Sequence, residues 1–199
     1  MAMYFLHIII VLDKPGKGLR LDVLTGGVKL INAKNQRKGK GTGMADYVMD
    51  LRKLVGPRLL YLPGMRAIIV NSKGEILLQR RTDTDNWGLP SGSSELEDTA
   101  LDTLNREVAE ETGLEVLEAE PMALYSGPGQ QVTYPHGDMI QCFSIAFVVH
   151  EWKGNPLADG VEGSELGWFP PEKLPEDTVE LHKATVADYL AWDGKFMLR

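Results

Sequence analysis

The chain has 199 residues, of which 43% are apolar and 25% are charged, and its formal net charge is −7. This composition excludes a disordered or fibrous protein, and the length fits one well-packed domain with an appendage. The acidic charge argues against a stable partner among nucleic acids or anionic membranes. Cys142 is the single cysteine, which excludes an internal disulfide and fits a reducing compartment.

Residues 1–43 differ in charge from the rest of the chain. They hold eight Lys and Arg residues, two Asp and no Glu, which gives +6 and leaves −13 for residues 44–199. We interpret residues 1–43 as a basic N-terminal extension or a mis-assigned leader before a natural start at Met44. The alternative is a native arm that supports a homodimer, in which residues 19–32 form a hairpin.

The longest apolar run lies within residues 1–12. It is too short to cross a bilayer as a helix. It also lacks the preceding basic residue and the following small-residue cleavage site of a secretory signal. These features predict a cytoplasmic protein.

Hydrophobic periodicity and turn residues predict a succession of short strands with three helices. The predicted elements are a helix over 44–56, a strand over 65–70, a turn over 71–74, its hairpin partner over 75–81, a loop over 88–94, a helix over 99–112, a strand over 122–126, a loop over 127–138, strands over 139–152 and 165–169, and a closing helix over 179–192. The order is not a regular βαβ repeat. It predicts an α+β fold with a mixed β-sheet sandwiched between α-helices.

The predicted helix over 99–112 carries three glutamates on one face. Glu107, Glu110 and Glu111 have the spacing i, i+3, i+4, so their carboxylates project to one patch. Mutual repulsion destabilises an isolated helix, and a hard divalent cation such as Mg²⁺ would reverse that effect. The patch is therefore a solvated acidic face or a magnesium site. Zinc is disfavoured because Cys and His residues are few and not clustered.

The residues around this helix resemble the Nudix box, G-x5-E-x7-R-E-U-x-E-E-x-G-U, in which U is a bulky aliphatic residue. The segment from Gly92 to Leu114 matches eight of the nine specified positions, and the ninth is Asp98 in place of glutamate. The flanking sequences LLQRR (77–81) and WGLPSG (87–92) are also similar to the family. The chain from Met44 onward thus resembles a MutT-like Nudix hydrolase, and residues 1–43 lie outside the resemblance.

The resemblance implies a hydrolase that cleaves the pyrophosphate of a nucleoside diphosphate linked to another moiety, with Mg²⁺ or Mn²⁺ as cofactor. It implies that Glu110 and Glu111 are the main metal ligands and that Glu107 is a further ligand or the general base. Arg106 is expected to orient the glutamates by charge-assisted hydrogen bonds. The catalytic residues implied are therefore Arg106, Glu107 and Glu110.

Two residues depart from the family pattern. Ser91 stands where the family has glycine, and its backbone carbonyl can still serve as a metal ligand if its backbone angles do not require glycine. Asp98 is one methylene shorter than glutamate, so we expect a salt bridge there to be weakened or lost and Asp98 to be available as a helix cap.

Candidate substrate contacts lie outside the box. Arg80 and Arg81 can reach substrate phosphates, or they are solvated residues at a strand end. Trp87 can stack on a base or pack in the core. His136, in a polar loop before the longest strand, is a candidate proton-transfer group, with a solvent-facing histidine as the alternative.

Some members of the family recruit a distant carboxylate as base or extra ligand. Glu162 and Glu165 are the candidates for that role here. The sequence leaves the substrate open among nucleotide sugars, ADP-ribose and nucleoside triphosphates. The alternative function is a nucleotide-binding sensor or regulator without hydrolysis.

Overall fold

The fold is taken from a computed structural model, which describes residues 9–10, 21–22, 30–31, 44–134 and 137–199. The described helices are α1 (Met44–Val55), α2 (Ala100–Thr112) and α3 (Glu180–Leu190). The described strands are β1 (Ile9–Ile10), β2 (Leu21–Asp22), β3 (Leu30–Ile31), β4 (Leu60–Ile69), β5 (Ile76–Arg81), β6 (Trp87–Gly88), β7 (Ser91–Ser93), β8 (Glu115–Tyr125), β9 (Gln131–Thr133), β10 (Met139–Lys153), β11 (Gly163–Phe169) and β12 (Met197–Leu198).

Two sheets organise these strands. The larger is mixed and has the order β12-β8-β10-β4-β7, with β3 paired to β8 and β9 paired to β10. Its centre is the parallel pair of β4 and β10. Strand β8 runs antiparallel to β10 and β7 runs antiparallel to β4, whereas β12 is parallel to β8. The smaller sheet has the order β11-β5-β6 and is antiparallel. The expected α+β fold with a mixed sheet between helices is confirmed.

Alternating side chains of β4 divide the core between two faces of the main sheet. Met65, Ala67 and Ile69 pack in one cluster with Leu104 and Val108 of α2. The intervening Ile68 belongs to the opposite cluster, which includes Val186 of α3. Since successive strand side chains point to opposite faces, each helix covers one face of the sheet.

The structure confirms most of the predicted elements and corrects others. The helices at 99–112 and 179–192 and the long strand at 139–152 are present within a few residues. The expected hairpin of 65–70 with 75–81 is wrong, because β5 pairs with β11 and β6 and meets β4 only through the bridge between Val70 and Ile76. Strand β8 also begins seven residues before the strand predicted at 122–126.

The N-terminal region contributes three short described strands. Leu21–Asp22 pairs with Ile9–Ile10, and Leu30–Ile31 pairs with β8. The remainder of the hairpin considered for residues 19–32 lies outside the described residues. The boundary at residue 43 stays a prediction. Among the described residues, no helix combines the length and apolar character that a membrane span needs.

Candidate active site

Helix α2, which carries the three glutamates, has well-defined ends. Thr99 is its N-cap and forms a capping box with Asp102, in which each side chain accepts a hydrogen bond from the other residue's backbone N–H. Gly113 ends the helix in the left-handed conformation, with φ of 70°, which glycine adopts without strain. The helix is therefore fixed at both ends, so the positions of its side chains are well determined.

Asp98 is not the helix cap. Its carboxylate accepts a hydrogen bond from the backbone N–H of Glu95 at 3.1 Å and forms an ion pair with Arg106 at 3.2 Å. The expected loss of a salt bridge at this position is therefore wrong. The shorter aspartate still reaches Arg106 because it lies in the turn directly before the helix.

The guanidinium group of Arg106 lies between the helix and the preceding strand. It donates to the Ser93 carbonyl oxygen at 2.8 Å and to Glu107 Oε1 at 2.7 Å. A longer contact of 3.4 Å reaches Glu110 Oε2. Arg106 thus binds two of the three box glutamates and ties α2 to β7.

Glu107 is buried against the backbone of β7. Its side chain lies over Gly92, where an added β-carbon would come within 2.0 Å of the Glu107 carboxyl carbon. Burial raises the pKa of Glu107, and the Arg106 charge opposes that shift. Glycine at position 92 therefore leaves room for a carboxyl group that has lost most of its water.

Glu111 is 2% exposed and meets β7 at a different point. Its Oε2 accepts a hydrogen bond from the backbone N–H of Ser91 at 2.8 Å. Burial raises the pKa of Glu111 to about 8, and the nearby Glu107 and Glu162 act in the same direction. The fully buried amide of Gln79 lies beside it, and neither polar atom of that amide makes a hydrogen bond of regular geometry with the described residues.

The backbone of Ser91 does not require glycine. Among the described residues, the non-glycine positions with positive φ are Asp85 and Glu97. Ser91 lies opposite Arg66 in the antiparallel pair of β7 with β4, and its N–H points away from β4 to Glu111. In such a pair the carbonyl of the same residue points to the same side, so the Ser91 carbonyl also faces the free edge beside α2.

The donors around this edge are all oxygen atoms. They are the carboxylates of Glu107, Glu110 and Glu111 and the carbonyl of Ser91, which is the chemistry that Mg²⁺ and Mn²⁺ prefer. Burial and the neighbouring carboxylates raise the pKa values of Glu107 and Glu111, so a cation bound here would favour their charged forms. As the side chains stand, no three His, Cys, Asp or Glu groups of the described residues lie close enough together to hold one ion.

The position of Glu110 explains why the three carboxylates do not converge on one point. Its side chain is 62% exposed and contacts Arg106, whereas Glu107 and Glu111 are buried. The donor set thus fits a hard divalent cation in chemistry. Two of its carboxylates are already held against β7, and the third is in solvent.

A cavity of about 300 Å³ opens beside Ser91, Gly92 and Ser93 of β7, and the three box glutamates are not among its lining residues. Its floor is the face of the main sheet that carries Gly64 and Arg66 of β4 and Cys142 and Ser144 of β10. The walls come from β7, the segment after β5, β9 with Tyr134, the loop before β11 and the start of α3. The cavity therefore extends from the edge that holds the glutamates to the space between the sheet and α3.

The two adjacent arginines of β5 have different surroundings. Arg81 lines the cavity and pairs with Asp83 at 2.6 Å. Arg80 does not line it, because its guanidinium binds Asp85 at 2.9 Å and Asp177 at 2.8 Å. Of this pair, only Arg81 is placed to meet a substrate in the cavity.

Trp87 lies in the hydrophobic core. It is 8% exposed and makes an edge-to-face contact with Phe169, with ring centroids 5.0 Å apart. It does not line the cavity. This position agrees with the packing interpretation and leaves no open ring face for a base.

The two candidate distant carboxylates are also separated. Glu162 lines the cavity, and the side chain of Glu165 lies outside it, opposite Arg80 in the β11–β5 pair. Asp159 accepts hydrogen bonds from the backbone N–H groups of Glu162 and Gly163, which orders the loop that carries Glu162. His136 lies outside the described residues.

Two cavity residues were missed in the sequence. Arg66 is a cation inside an otherwise apolar strand, and that contrast within MRAIIV was a signal for a special role. His182 lies on α3 and faces the cavity, with no local sequence signal to mark it. Whether Arg66 and His182 reach the cavity depends on which face of β4 or α3 meets it.

Comparison with known proteins agrees with this geometry. The model of the NUDIX domain family matches residues 60–190. An ADP-ribose pyrophosphatase of Methanocaldococcus jannaschii is 30% identical over 138 residues, which are 67% of this chain and 77% of that protein. A MutT-like protein of Streptomyces ambofaciens is 26% identical over 136 residues, covering 68% of this chain and 80% of that protein.

Solved structures show the same fold. A MutT NUDIX hydrolase from Burkholderia pseudomallei superposes with a TM-score of 0.55 at 23% identity, covering 64% of this chain and 97% of that one. The fold and the box on α2 are those of the Nudix hydrolases. The chain belongs to the Nudix family and is a Nudix pyrophosphohydrolase. Nudix hydrolases in general need a divalent metal ion.

Proposed function

We propose that this protein hydrolyses the pyrophosphate linkage of a nucleoside diphosphate joined to a second moiety, and that it uses Mg²⁺ or Mn²⁺. The observation that carries this proposal is the position of Glu107 and Glu111. Both are buried against β7, at the edge from which the cavity extends. The relatives named above as ADP-ribose pyrophosphatase and MutT-like protein support a nucleotide derivative as the substrate.

The proposed metal ligands are Glu107, Glu110, Glu111 and the carbonyl of Ser91. A bound divalent ion supplies charge neutralisation of the pyrophosphate and lowers the pKa of water. The chain orients this set, because Arg106 holds Glu107 and the Ser91 N–H holds Glu111. Glu110 is free to turn toward the same edge, since its side chain is largely in solvent.

The proposed substrate contact on the phosphate side is Arg81. Its guanidinium lines the cavity and also interacts with Glu111. Asp83 holds it by two hydrogen bonds, of 2.9 and 2.6 Å, which fixes its direction. A fixed cation beside the glutamates stabilises negative charge on the phosphate oxygens.

Glu162 is the proposed general base. It lines the cavity, and its backbone is fixed by Asp159 and by the N–H of Thr82, which donates to the Glu162 carbonyl at 2.9 Å. An ionised carboxylate in this place can accept a proton from an attacking water. Glu165 lacks this access and serves as its matched control.

The test is Mg²⁺-dependent release of phosphate products from ADP-ribose, nucleotide sugars and nucleoside triphosphates. We expect activity with at least one substrate and a loss of at least about 100-fold in Glu111→Gln and Glu110→Gln. Chelation of the metal should abolish activity reversibly. Nucleotide binding without metal-dependent product release, in wild type and variants alike, would refute hydrolysis and support a sensor.

A further inference from the structure

Arg66 is a buried cation that has no carboxylate partner among the described residues. Its side chain lies in the middle of β4 and is 3% exposed. The two terminal nitrogens donate to the Thr185 hydroxyl at 3.0 Å and to the Gln130 amide oxygen at 2.6 Å. Its guanidinium lies over the Tyr125 ring at 5.0 Å, and no Asp or Glu of the described residues pairs with it. A buried charge with only neutral partners is costly to the folded protein.

Arg66 is also part of the cavity wall, so its position is not explained by packing alone. The residue lines the cavity beside Cys142 and Ser144 and lies opposite Ser91 across the β4–β7 pair. Its cation is thus one strand away from the edge that holds the glutamates. An acceptor group in the cavity would give Arg66 a partner with a full or partial negative charge.

His182 adds a second donor to the same cavity. Its Nδ1 accepts a hydrogen bond from the backbone N–H of Leu89 at 2.9 Å. A neutral imidazole that accepts at Nδ1 carries its proton on Nε2. Among the described residues no acceptor for that N–H is found, and the ring lines the cavity. Gly88 permits this position, because a β-carbon there would lie 2.8 Å from Nδ1.

We propose that Arg66 and His182 form an acceptor-recognition site that binds the substrate group beyond the pyrophosphate. This proposal rests on the proposed function and identifies its specificity. Both side chains offer only hydrogen-bond donors, so the site selects a group with an oxygen acceptor and positions it against them. Two sources carry that chemistry, namely the keto edge of a 6-oxopurine and a phosphate of the second moiety.

An amino group in the same place is rejected. The 6-amino group of adenine is a donor, and it would leave the buried donors of Arg66 and His182 without a partner. Unpaired buried donors cost affinity. Where the bound group is a purine base, the site therefore discriminates inosine-type from adenosine-type ligands at position 6.

Cys142 provides a direct readout of this site. It is the only cysteine of the chain, lines the cavity and is close enough to Arg66 for the cation to lower the pKa of its thiol against the effect of burial. Its alkylation by N-ethylmaleimide can be followed by mass spectrometry without metal and without hydrolysis. Failure of the proposed catalytic function would therefore leave this test intact.

The experiment compares alkylation rates with inosine, adenosine or inorganic phosphate, each against the same protein without ligand. Inosine and adenosine differ in the group at position 6, and neither carries a phosphate. Slower alkylation with inosine but not adenosine indicates the keto source, and slower alkylation with phosphate indicates the phosphate source. Either protection must be lost in Arg66→Met. Three results would overturn the proposal. They are protection that persists in Arg66→Met, equal protection by inosine and adenosine without any by phosphate, and no protection by any of the three ligands.

A matched pair at position 182 separates recognition from folding. In His182→Asn the amide oxygen can replace Nδ1 as acceptor for Leu89, and the Nε2–H donor is lost. In His182→Gln the amide nitrogen can replace that donor, and the acceptor is lost. For the ligand that protects Cys142 in the wild type, we expect an apparent affinity that is about 10-fold weaker in the Asn variant and near normal in the Gln variant. The reverse order would assign His182 a structural role and overturn its part in the site.

Hydrolysis gives an independent readout where the protein cleaves nucleoside triphosphates. The ratio of kcat/KM for inosine triphosphate to that for adenosine triphosphate should fall about 10-fold in Arg66→Met if the keto group is the ligand. Arg80→Met, which removes an arginine outside the cavity, is the control for a general loss of charge. A merely structural role of Arg66 would lower both rates together and leave the ratio unchanged.

Discussion

The carboxyl group of Glu107 occupies the space that a side chain at Gly92 would need. An ideal β-carbon at position 92 would lie 2.0 to 2.2 Å from the carboxyl atoms of Glu107. The glycine that opens the box and the glutamate fifteen residues later are thus in direct contact. The spacing of the motif reflects this contact, because the intervening residues form the turn and first two turns of α2.

Replacement of Gly92 by alanine should displace the Glu107 carboxylate from β7. A shift of about 1 Å in a catalytic group can cost on the order of 100-fold in rate, so we expect a loss of that size in kcat/KM. Steady-state kinetics with the best substrate would measure it. Gly129→Ala is the control, since a β-carbon there meets nothing within 4 Å. Normal activity of Gly92→Ala would contradict the contact.

Asp98 should tolerate lengthening better than removal. Asp98→Ala deletes the ion pair with Arg106 and the acceptor for the Glu95 N–H, and we expect about a 10-fold loss of activity. Asp98→Glu restores the carboxylate of the family pattern and should stay within a few-fold of wild type by the same kinetics. The loss is partial because Arg106 keeps its bonds to Ser93 and Glu107. Equal rates for Asp98→Ala and wild type would show that Arg106 needs no support from this side.

The sequence was sufficient to predict the helix of the box and its face of glutamates. Glu107, Glu110 and Glu111 share a helix face because of local geometry alone, and Thr99 and Gly113 mark the helix ends by their intrinsic preferences. Local signals of this kind need no knowledge of the rest of the fold.

Features that depend on strand pairing could not be predicted in this way. A tight turn after Val70 suggested a hairpin, but the chain leaves one sheet there and enters the other. The contrast between Arg80 and Arg81 also needed the fold, since adjacent strand residues point to opposite faces. Trp87 and Arg66 illustrate the same limit, because an aromatic residue lies in the core and a cation lies in the cavity wall.

Glu162→Gln should reduce kcat by about 100-fold or more if Glu162 is the general base, with a smaller effect on KM. Glutamine keeps the shape of the side chain and removes the basic carboxylate. Glu165 is on β11, just after Glu162 in the chain, and its side chain lies outside the cavity, so Glu165→Gln should retain near-normal kinetics. Similar losses in the two variants, or a normal kcat for Glu162→Gln, would exclude Glu162 as the base and return that role to Glu107.

Asp159 should act through the position of Glu162. Its Oδ1 accepts the N–H groups of Val161, Glu162 and Gly163, at 3.1, 3.1 and 2.9 Å. Asp159→Ala removes these acceptors, and we expect kcat to fall on the order of 10-fold with little change in KM. Asp159→Asn keeps an oxygen at the same place and should recover most of the rate. Failure of the Asn variant to do so would mean that the charge of Asp159, and not its acceptor geometry, is required.

His182 should make the folded protein sensitive to mild acid. Burial lowers the pKa of His182 well below its ordinary value, and the cations Arg66 and Arg81 act in the same direction. In the unfolded chain the ring titrates near about 6.5, so above that pH it is neutral in both states and contributes nothing to the pH dependence. As the pH falls below about 6.5, only the unfolded state takes up the proton, and the free energy of unfolding drops by up to about 1.4 kcal/mol per pH unit.

His182→Asn removes this titration and can keep the acceptor for the Leu89 N–H. Its free energy of unfolding should therefore decline less than that of wild type between about pH 7 and pH 5. Urea unfolding at a series of pH values measures the two slopes, and groups that titrate in both proteins cancel in the comparison. Because slopes are compared, a constant loss of stability from the substitution does not affect the result. Parallel pH profiles for the two proteins would show that His182 takes up a proton in the folded state as readily as in the unfolded one.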